Sequence, residues 1–175
     1  METTLTSLEE YLRKSYEPDV EYVDGVLIRR NVGTQLRGLL QSFIIVFLSE
    51  FRLQYRYEVF TECRLLMDAA TGRHRIPDVM VLEEPFTMGK AATDVPAVVV
   101  EIKSPDDTLD EVIDKCLEYA TLGVPNIVVL DPDYKRQYVF TNRALQLVDS
   151  IVLHLPKCGA ELPLPMDRLF SALKK

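Results

Sequence analysis

The chain has 175 residues, of which 47% are hydrophobic, and a formal net charge of −7. This length and composition fit one globular domain with a buried core and exclude a disordered or low-complexity chain. No apolar run reaches the length of a membrane span and residues 1–4 begin no secretory signal, so a cytoplasmic protein without a membrane partner is expected. The acidic balance disfavours a generic nucleic-acid binder with a broad basic surface.

The first part of the chain predicts a short helix, a hairpin and a long helix. Ser7-Leu8-Glu9-Glu10 has the spacing of a capping box and predicts a helix that continues to about Lys14. Two strand-like segments flank Asp24-Gly25, a dipeptide typical of two-residue hairpin turns. Between Leu36 and Phe51 apolar residues recur at intervals of three and four, which predicts a helix buried along one face.

The middle of the chain alternates apolar runs with turns. Residues 57–67 are rich in β-forming residues and predict one strand, and residues 69–72 turn the chain back towards the strand that Asp78 opens. Residues 83–96 contain two prolines and a glycine and predict a loop. A strand over residues 97–103 follows.

The last part of the chain begins with a second amphipathic helix, from Leu109 to Ala120, with Gly123 as its C-terminal cap. A strand at residues 126–130 follows, and the order strand, helix, strand predicts a parallel crossover. Further strands are predicted near residues 138–140, 145–148 and 151–155, before a terminal helix from Met166 to Leu173. The prediction is one α/β domain over residues 1–175 with a mixed sheet.

Two carboxylates and a lysine stand at the ends of two apolar strands. Asp78 opens one run, whereas Glu101 and Lys103 close the next and point to the same side, because side chains alternate along a strand. Buried ions cost several kcal/mol each unless a partner compensates, and a divalent cation between the carboxylates would do so. The alternative is an exposed ion pair of Glu101 with Lys103 and a turn position for Asp78.

This set of residues has the chemistry of a metal-dependent phosphodiester hydrolase. Hard cations such as Mg²⁺ or Mn²⁺ take oxygen ligands, so Asp78, Glu101 and the backbone carbonyl of Ile102 are the predicted metal ligands. Lys103 would orient or deprotonate the attacking water, or stabilise phosphate charge.

The order of the motifs resembles a nuclease superfamily. Pro77-Asp78 followed by Glu101-Ile102-Lys103 is similar to the PD-(D/E)XK pattern, and the order of helices and strands agrees with that fold. The resemblance is closer to the Uma-two type restriction-endonuclease-like family. The segments that carry it are Tyr22–Leu27, Asn31–Gly33, Ile76–Val79, Val100–Pro105 and Lys115–Pro132.

The resemblance implies a restriction-endonuclease-like core, Mg²⁺ as cofactor and DNA as substrate. It also implies Glu21 as a possible third acidic ligand, with an exposed hairpin carboxylate as an equal alternative. Lys115 and Tyr119 are similar to the Q-x₃-Y pair of related nucleases and share a helix stripe, although solvent exposure is the simpler expectation for Lys115. A homodimer is expected, because a small nuclease must address two strands.

One segment departs from the family pattern. Where relatives commonly have an acid and a histidine, this chain has Thr34-Gln35-Leu36-Arg37, and Arg37 could supply only a phosphate contact. Two function classes therefore stay open. The first is a Mg²⁺-dependent DNA endonuclease, and the second is a catalytically weakened homologue that acts as a nucleic-acid-binding or protein-interaction module. Hydrolysis of another phosphodiester is a more distant third.

The other reactive or charged side chains are predicted to have ordinary roles. His74 is expected in a hairpin loop rather than as a general base, and His154 in a strand. Cys63 and Cys116 are expected to be buried free thiols, and three cysteines without a CxxC pair do not predict a closed zinc site. The basic clusters are expected to be solvated loop charges. They are Arg29-Arg30, Arg73-His74-Arg75 and Lys135-Arg136.

Overall fold

The computed structural model describes residues 5–30 and 34–172. In chain order the elements are α1 (Leu8–Arg13), β1 (Val20–Val23), β2 (Val26–Arg29), α2 (Gln35–Tyr55), β3 (Tyr57–Thr61), β4 (Leu65–Asp68), β5 (Arg73–Arg75), β6 (Val79–Glu83), β7 (Val98–Ile102), α3 (Leu109–Leu122), β8 (Asn126–Asp131), β9 (Arg136–Thr141), β10 (Ala144–Leu147), β11 (Ile151–Leu155), β12 (Ala160–Leu164) and α4 (Met166–Ala172).

A six-stranded mixed sheet forms the centre of the fold, in the order β10-β9-β8-β7-β6-β3. Strands β7 and β8 are parallel and are connected through α3, whereas the other neighbouring pairs are antiparallel. A parallel pair needs such a crossover because a tight turn can join only antiparallel strands. The predicted α/β class with a mixed sheet flanked by helices is confirmed.

The two faces of the central sheet are covered by different helices. Helix α2 packs on one face, where Leu40, Ile44 and Leu48 contact the side chains of Val98 and Val100. On the other face Val99, which lies between Val98 and Val100, packs in the hydrophobic cluster that contains the buried side chains of α3. Every residue of β7 is buried, which explains why its sequence is apolar without alternation.

A second, smaller sheet covers one end of the α3 face. Its four strands lie in the order β2-β1-β5-β4, and β1 meets β5 where Tyr22 pairs with His74. Tyr11 of α1 is buried against this sheet, with its ring 5.1 Å from the ring of Tyr22. The hairpin β1–β2 predicted around Asp24-Gly25 is thus confirmed, and it brings Glu21 towards the central sheet.

Two strand predictions were wrong. The single strand over residues 57–67 is broken at Glu62, which has a left-handed φ of +51°, so β3 joins the central sheet and β4 the smaller one. Strand β12 was not predicted because it contains Pro163. A two-stranded ribbon tolerates proline, since each of its strands is an edge.

The two longer helices begin and end close to their predicted limits. Gly123 ends α3 with a left-handed φ of +97°, a conformation that glycine adopts without steric cost. In the described part of the chain, no helix combines the length and the apolar character that crossing a membrane requires. The Asn31-Val32-Gly33 motif and Leu173, the predicted end of the terminal helix, lie outside the described residues.

Candidate active site

The candidate site lies where β6 begins and β7 ends. The antiparallel register of these strands brings Asp78 opposite Glu101. Asp78 is two residues before Met80, and Glu101 is two residues after Val99. Met80 and Val99 both pack in the hydrophobic cluster that contains the buried side chains of α3. Because alternate residues of a strand share a face, both carboxylates are on the α3 face of the sheet.

Asp78 is fully buried and bound by two arginines. Its Oδ1 accepts a hydrogen bond from Nη2 of Arg30 at 2.6 Å and a second one from Nη2 of Arg37. Its Oδ2 accepts the backbone N–H of Ile102 at 2.7 Å, and its backbone oxygen accepts the side-chain amide of Gln41 at 2.9 Å. The carboxylate is therefore held between strand β7 and two positive charges.

Arg37 enters the site from the first turn of α2. Thr34 caps this helix by accepting the backbone N–H of Arg37 at 3.2 Å, and the guanidinium also donates to Oγ of Ser104 at 2.9 Å. From the sequence, Arg37 was expected to supply only a phosphate contact. In the structure this side chain is buried against Asp78. The position that departs from the family pattern is thus in direct contact with the carboxylate of the motif.

Glu101 has a different environment from Asp78. Its Oε1 accepts the hydroxyl hydrogen of Tyr119 at 2.5 Å. Burial raises the pKa of Glu101 to about 7; Lys115 opposes this rise and the charge of Asp78 adds to it. Lys103 donates to the backbone oxygen of Ser104 at 3.3 Å while Glu101 is buried, so the alternative of an exposed Glu101–Lys103 ion pair is wrong.

Glu21 and Lys115 are also part of the site. Glu21 is 1% exposed and accepts Nη1 of Arg75 at 2.8 Å, and its Oε1 is 3.4 Å from Nζ of Lys115. The exposed alternative for Glu21 and the expected solvent exposure of Lys115 are therefore both wrong. Lys115 lies at the edge of the apolar stripe of α3, and its long side chain reaches Glu21 of β1 and is only 26% exposed.

Charge pairing sets the protonation of these two groups. Burial alone would raise the pKa of Glu21, but the cations of Lys115 and Arg75 hold it below its usual range. Burial likewise opposes the charge of Lys115, whereas Glu101 and Glu21 raise its pKa above the ordinary value. Lys115 is therefore a cation in this site and not a neutral base.

These groups surround a cavity of about 310 Å³. The cavity has both cationic and acidic lining residues, whereas Asp78 lies behind Arg30 and Arg37 and does not line it. The cations are Arg29, Arg30, Arg37, Arg75 and Lys115, and the acids are Glu21, Glu101, Asp106, Asp107, Glu111 and Asp114. Lys103 lines an adjoining recess of about 20 Å³, together with Glu101 and Lys115. The structure thus brings the predicted site residues to one end of the sheet.

Sequence reasoning missed the roles of Arg30 and Arg75, because both were predicted to be solvated loop charges. Arg75 is held by Glu21 and by both carboxylate oxygens of Glu118, at 2.8 Å in each case. The only signal in the sequence was their position beside the hairpin and Asp78 motifs. The same expectation is confirmed for Lys135 and Arg136, which are exposed.

The donor set fits a hard divalent cation. Asp78 and Glu101 share one face, and the carbonyl of Ile102 points to the same edge as its N–H, which donates to Asp78. Among the described residues, no three His, Cys, Asp or Glu side chains form a metal-ligating cluster. A cation at Asp78 would also compete with Arg30 and Arg37 for Oδ1.

The remaining candidates lie outside this site. His74 is in β5 and not in the hairpin loop; it is buried, and its Nδ1 is 2.7 Å from the backbone oxygen of Gly72. Cys116 is a buried free thiol as predicted, whereas Cys63 is only half-buried and Cys158 is exposed. A larger cavity of about 460 Å³, between α1 and residues 87–92, contains none of the predicted site residues.

The sheet order and the paired acidic strand ends define a restriction-endonuclease-like domain. A solved structure titled as a "putative nuclease belonging to DUF820 from Anabaena variabilis" has the same fold, with a TM-score of 0.79 and 23% identity, over 96% of this chain and 99% of that chain. The chain belongs to the Uma2 family, described as "Putative restriction endonuclease", which matches residues 8–165. The family resemblance stated from the sequence is confirmed.

Two other comparisons add little. A DrdV–DNA complex aligns with 60% of this chain and 9% of that chain, at 23% identity and a TM-score of 0.38, which is too distant to support an argument. A comparison with curated proteins gives no match.

Proposed function

We propose that this protein is a metal-dependent endonuclease that hydrolyses phosphodiester bonds of DNA. The observation that carries the proposal is the pair Asp78 and Glu101, opposite each other on one face of two buried strands. The family description supports DNA as the substrate. Burying two carboxylates side by side is costly; Arg30 and Arg37 offset that cost at Asp78, and a bound cation between the two carboxylates would offset it for both.

In this proposal Asp78, Glu101 and the carbonyl of Ile102 hold Mg²⁺ or Mn²⁺. When bound, such an ion supplies Lewis-acid activation of the phosphate and of water. Tyr119 donates to Glu101 and so fixes the orientation of that carboxylate. Metal affinity should fall when Glu101 is protonated, because the metal ligand is the ionised carboxylate.

The lysines of the site have separate roles. Lys103 orients the attacking water or contacts the phosphate from the recess beside Glu101. Lys115 remains protonated, because Glu21 and Glu101 raise its pKa, and it therefore stabilises phosphate charge rather than accepting a proton. Glu21 positions Lys115 through their ion pair, which is a role beside that of a possible third metal ligand.

The test is nicking of supercoiled plasmid DNA with Mg²⁺ or Mn²⁺. Asp78→Ala and Lys103→Ala should abolish nicking, whereas Asp133→Ala and Lys135→Ala, matched changes in an exposed turn, should leave the rate unchanged. Nicking that survives both site substitutions would contradict the proposal.

A second candidate is a catalytically weakened homologue that binds nucleic acid or another protein. The contacts of Arg30 and Arg37 with Asp78 favour it, because two positive charges at this carboxylate oppose a metal ion. Wild-type protein that binds duplex DNA in a gel-shift assay but does not nick it with either metal would support this candidate.

Three statements about the whole protein stay predictions. They are the single domain over residues 1–175, the homodimer and the cytoplasmic location. Analytical ultracentrifugation tests the homodimer directly, because a dimer has twice the 20.0 kDa mass of the chain.

A further inference from the structure

We infer that Arg30 and Arg37, which we call the arginine pair, exclude metal from Asp78 until the substrate binds. The backbone phosphates of DNA then take the arginine pair away from Asp78 and leave its carboxylate free for a cation. DNA and metal would therefore bind with positive coupling. This inference rests on the proposed nuclease function and describes how its metal site is regulated.

The arginine pair neutralises Asp78 more than fully. Both guanidiniums contact the same oxygen of a carboxylate that is 0% exposed, and their side chains are only 9% and 11% exposed. At this oxygen two positive charges face one negative charge, while the carboxylates of Glu101 and Glu21 lie near enough to act on Arg30. A divalent cation approaching this oxygen is repelled, and the repulsion is strong because the surroundings are shielded from water.

The other contacts of the arginine pair are weak enough to be exchanged. The second partner of Arg37 is the neutral hydroxyl of Ser104. The second partner of Arg30 is Glu62, at 3.5 Å, whose side chain is 49% exposed, and exposed pairs of this kind contribute little. Among the described residues, Asp78 is the only buried carboxylate with which either arginine forms a direct ion pair, although Glu101 and Glu21 also act on Arg30 from a greater distance.

Arg75 provides the internal contrast. It donates to both carboxylate oxygens of Glu118 and to Glu21, so two acidic side chains hold it in place. A phosphate would have to break several charge-assisted hydrogen bonds to move Arg75. Arg75 is therefore a fixed part of the site. The arginine pair can move more easily, because its two members share one buried anionic partner, Asp78.

A phosphate diester is the anion that can replace Asp78 as that partner. Arg30 and Arg37 both line the 310 Å³ cavity, and guanidinium groups bind phosphate oxygens through paired N–H donors. Arg37 lies in the first turn of the 21-residue helix α2, where the helix dipole also favours an anion. The transfer replaces one charge-assisted interaction with another and does not bury an unpaired charge.

Titration of Mn²⁺ into the full-length protein by calorimetry, with and without a short phosphorothioate duplex that resists cleavage, tests the inference. We expect wild-type protein to bind Mn²⁺ roughly 5- to 150-fold more tightly when DNA is present, the usual range of coupling between two sites. Asp78→Asn with DNA gives the background, since any Mn²⁺ that it still binds is not at Asp78.

Removing one arginine should weaken the coupling. Arg37→Gln should bind Mn²⁺ more tightly than wild type without DNA, and should gain less when DNA is added. Arg52→Gln, on the same helix but paired with Glu58 outside the cavity, is the matched control and should behave as wild type. Circular dichroism melts check that each variant is folded.

The Mn²⁺ affinity of wild-type protein with and without DNA tests the inference even if Arg37→Gln does not fold. By linkage, Mn²⁺ must raise the affinity for DNA by the same factor, which fluorescence anisotropy measures. Equal Mn²⁺ affinity with and without DNA overturns the inference, and the nuclease proposal survives if Asp78→Asn then abolishes that binding. No Mn²⁺ binding under any condition overturns both.

Discussion

Strand β6 has a buried carboxylate at each end, and the two are held in different ways. Glu83, its last residue, accepts the backbone N–H of Lys157 at 3.0 and 3.1 Å and that of Cys158 at 3.2 Å. Asp78, the residue just before β6, accepts a hydrogen bond from the backbone N–H of Ile102 and forms ion pairs with Arg30 and Arg37. Both acids are at most 4% exposed, so burial does not distinguish them.

The nature of the donors distinguishes a structural carboxylate from a candidate ligand. Backbone N–H groups cannot turn away without unfolding the segment, so Glu83 ties β6 to the turn between β11 and β12. Arginine side chains can rotate, and those on Asp78 line a cavity. Asp78 can therefore change its partner, whereas Glu83 cannot.

The largest expected effect is on DNA cleavage. Asp78→Asn should lower the rate of plasmid nicking by at least about 100-fold, because the proposed metal ligand loses its charge. Glu83→Gln removes the same charge from the other end of the strand and should leave the rate per folded molecule unchanged. Equal losses in both variants would remove the distinction between the two ends.

The second effect is on stability. Glu83→Ala removes the charged acceptor of two backbone N–H groups, those of the exposed residues Lys157 and Cys158, and should lower the free energy of unfolding by about 1–3 kcal/mol in urea denaturation. Glu84→Ala is the matched control, because its exposed pair with Arg56 contributes little, and should change that free energy by less than about 0.5 kcal/mol. If the Glu83→Ala protein is as stable as the control, the hydrogen bonds from Lys157 and Cys158 to Glu83 do not stabilise the fold.

The smallest effect extends the comparison to His74, a buried titratable side chain that also has a backbone partner. Burial lowers the pKa of His74 below its ordinary value, so the folded state binds fewer protons than the unfolded state. The contribution of neutral His74 to the free energy of unfolding is complete above the pKa of the unfolded state, about 6.5. This contribution is lost as the pH falls through the lower pKa of the folded state.

Urea unfolding at pH 7.5 and pH 5.5 measures this dependence. Wild type should lose more stability than His74→Gln over this interval, by at most about 1.4 kcal/mol per pH unit. The same loss in both proteins would mean that another group is responsible.

Local sequence patterns were sufficient for the parts of the fold that depend on periodicity. The stripes of α2 and α3 and the cap at Gly123 all follow from spacing along one segment. The order strand, helix, strand also predicted the parallel pair of β7 and β8, and the family resemblance agreed with the order of elements.

The rest depends on how distant segments pack. Arg30 follows the β1–β2 hairpin and meets Asp78 across 48 positions, and Lys157 meets Glu83 across 74. No local pattern encodes such contacts, so the arginines were expected in solvent and Glu83 in a loop. The prediction for Lys115 was wrong because a helical projection ignores the reach of its side chain, which forms an ion pair with Glu21.

The most direct test of the central claim is a crystal structure of the protein with duplex DNA and Mn²⁺, using anomalous scattering to locate the metal. We predict an anomalous peak bound by Asp78, Glu101 and the carbonyl of Ile102, with Arg30 and Arg37 on phosphate oxygens. A DNA complex without a peak between the two carboxylates, and with both arginines still on Asp78, would contradict it.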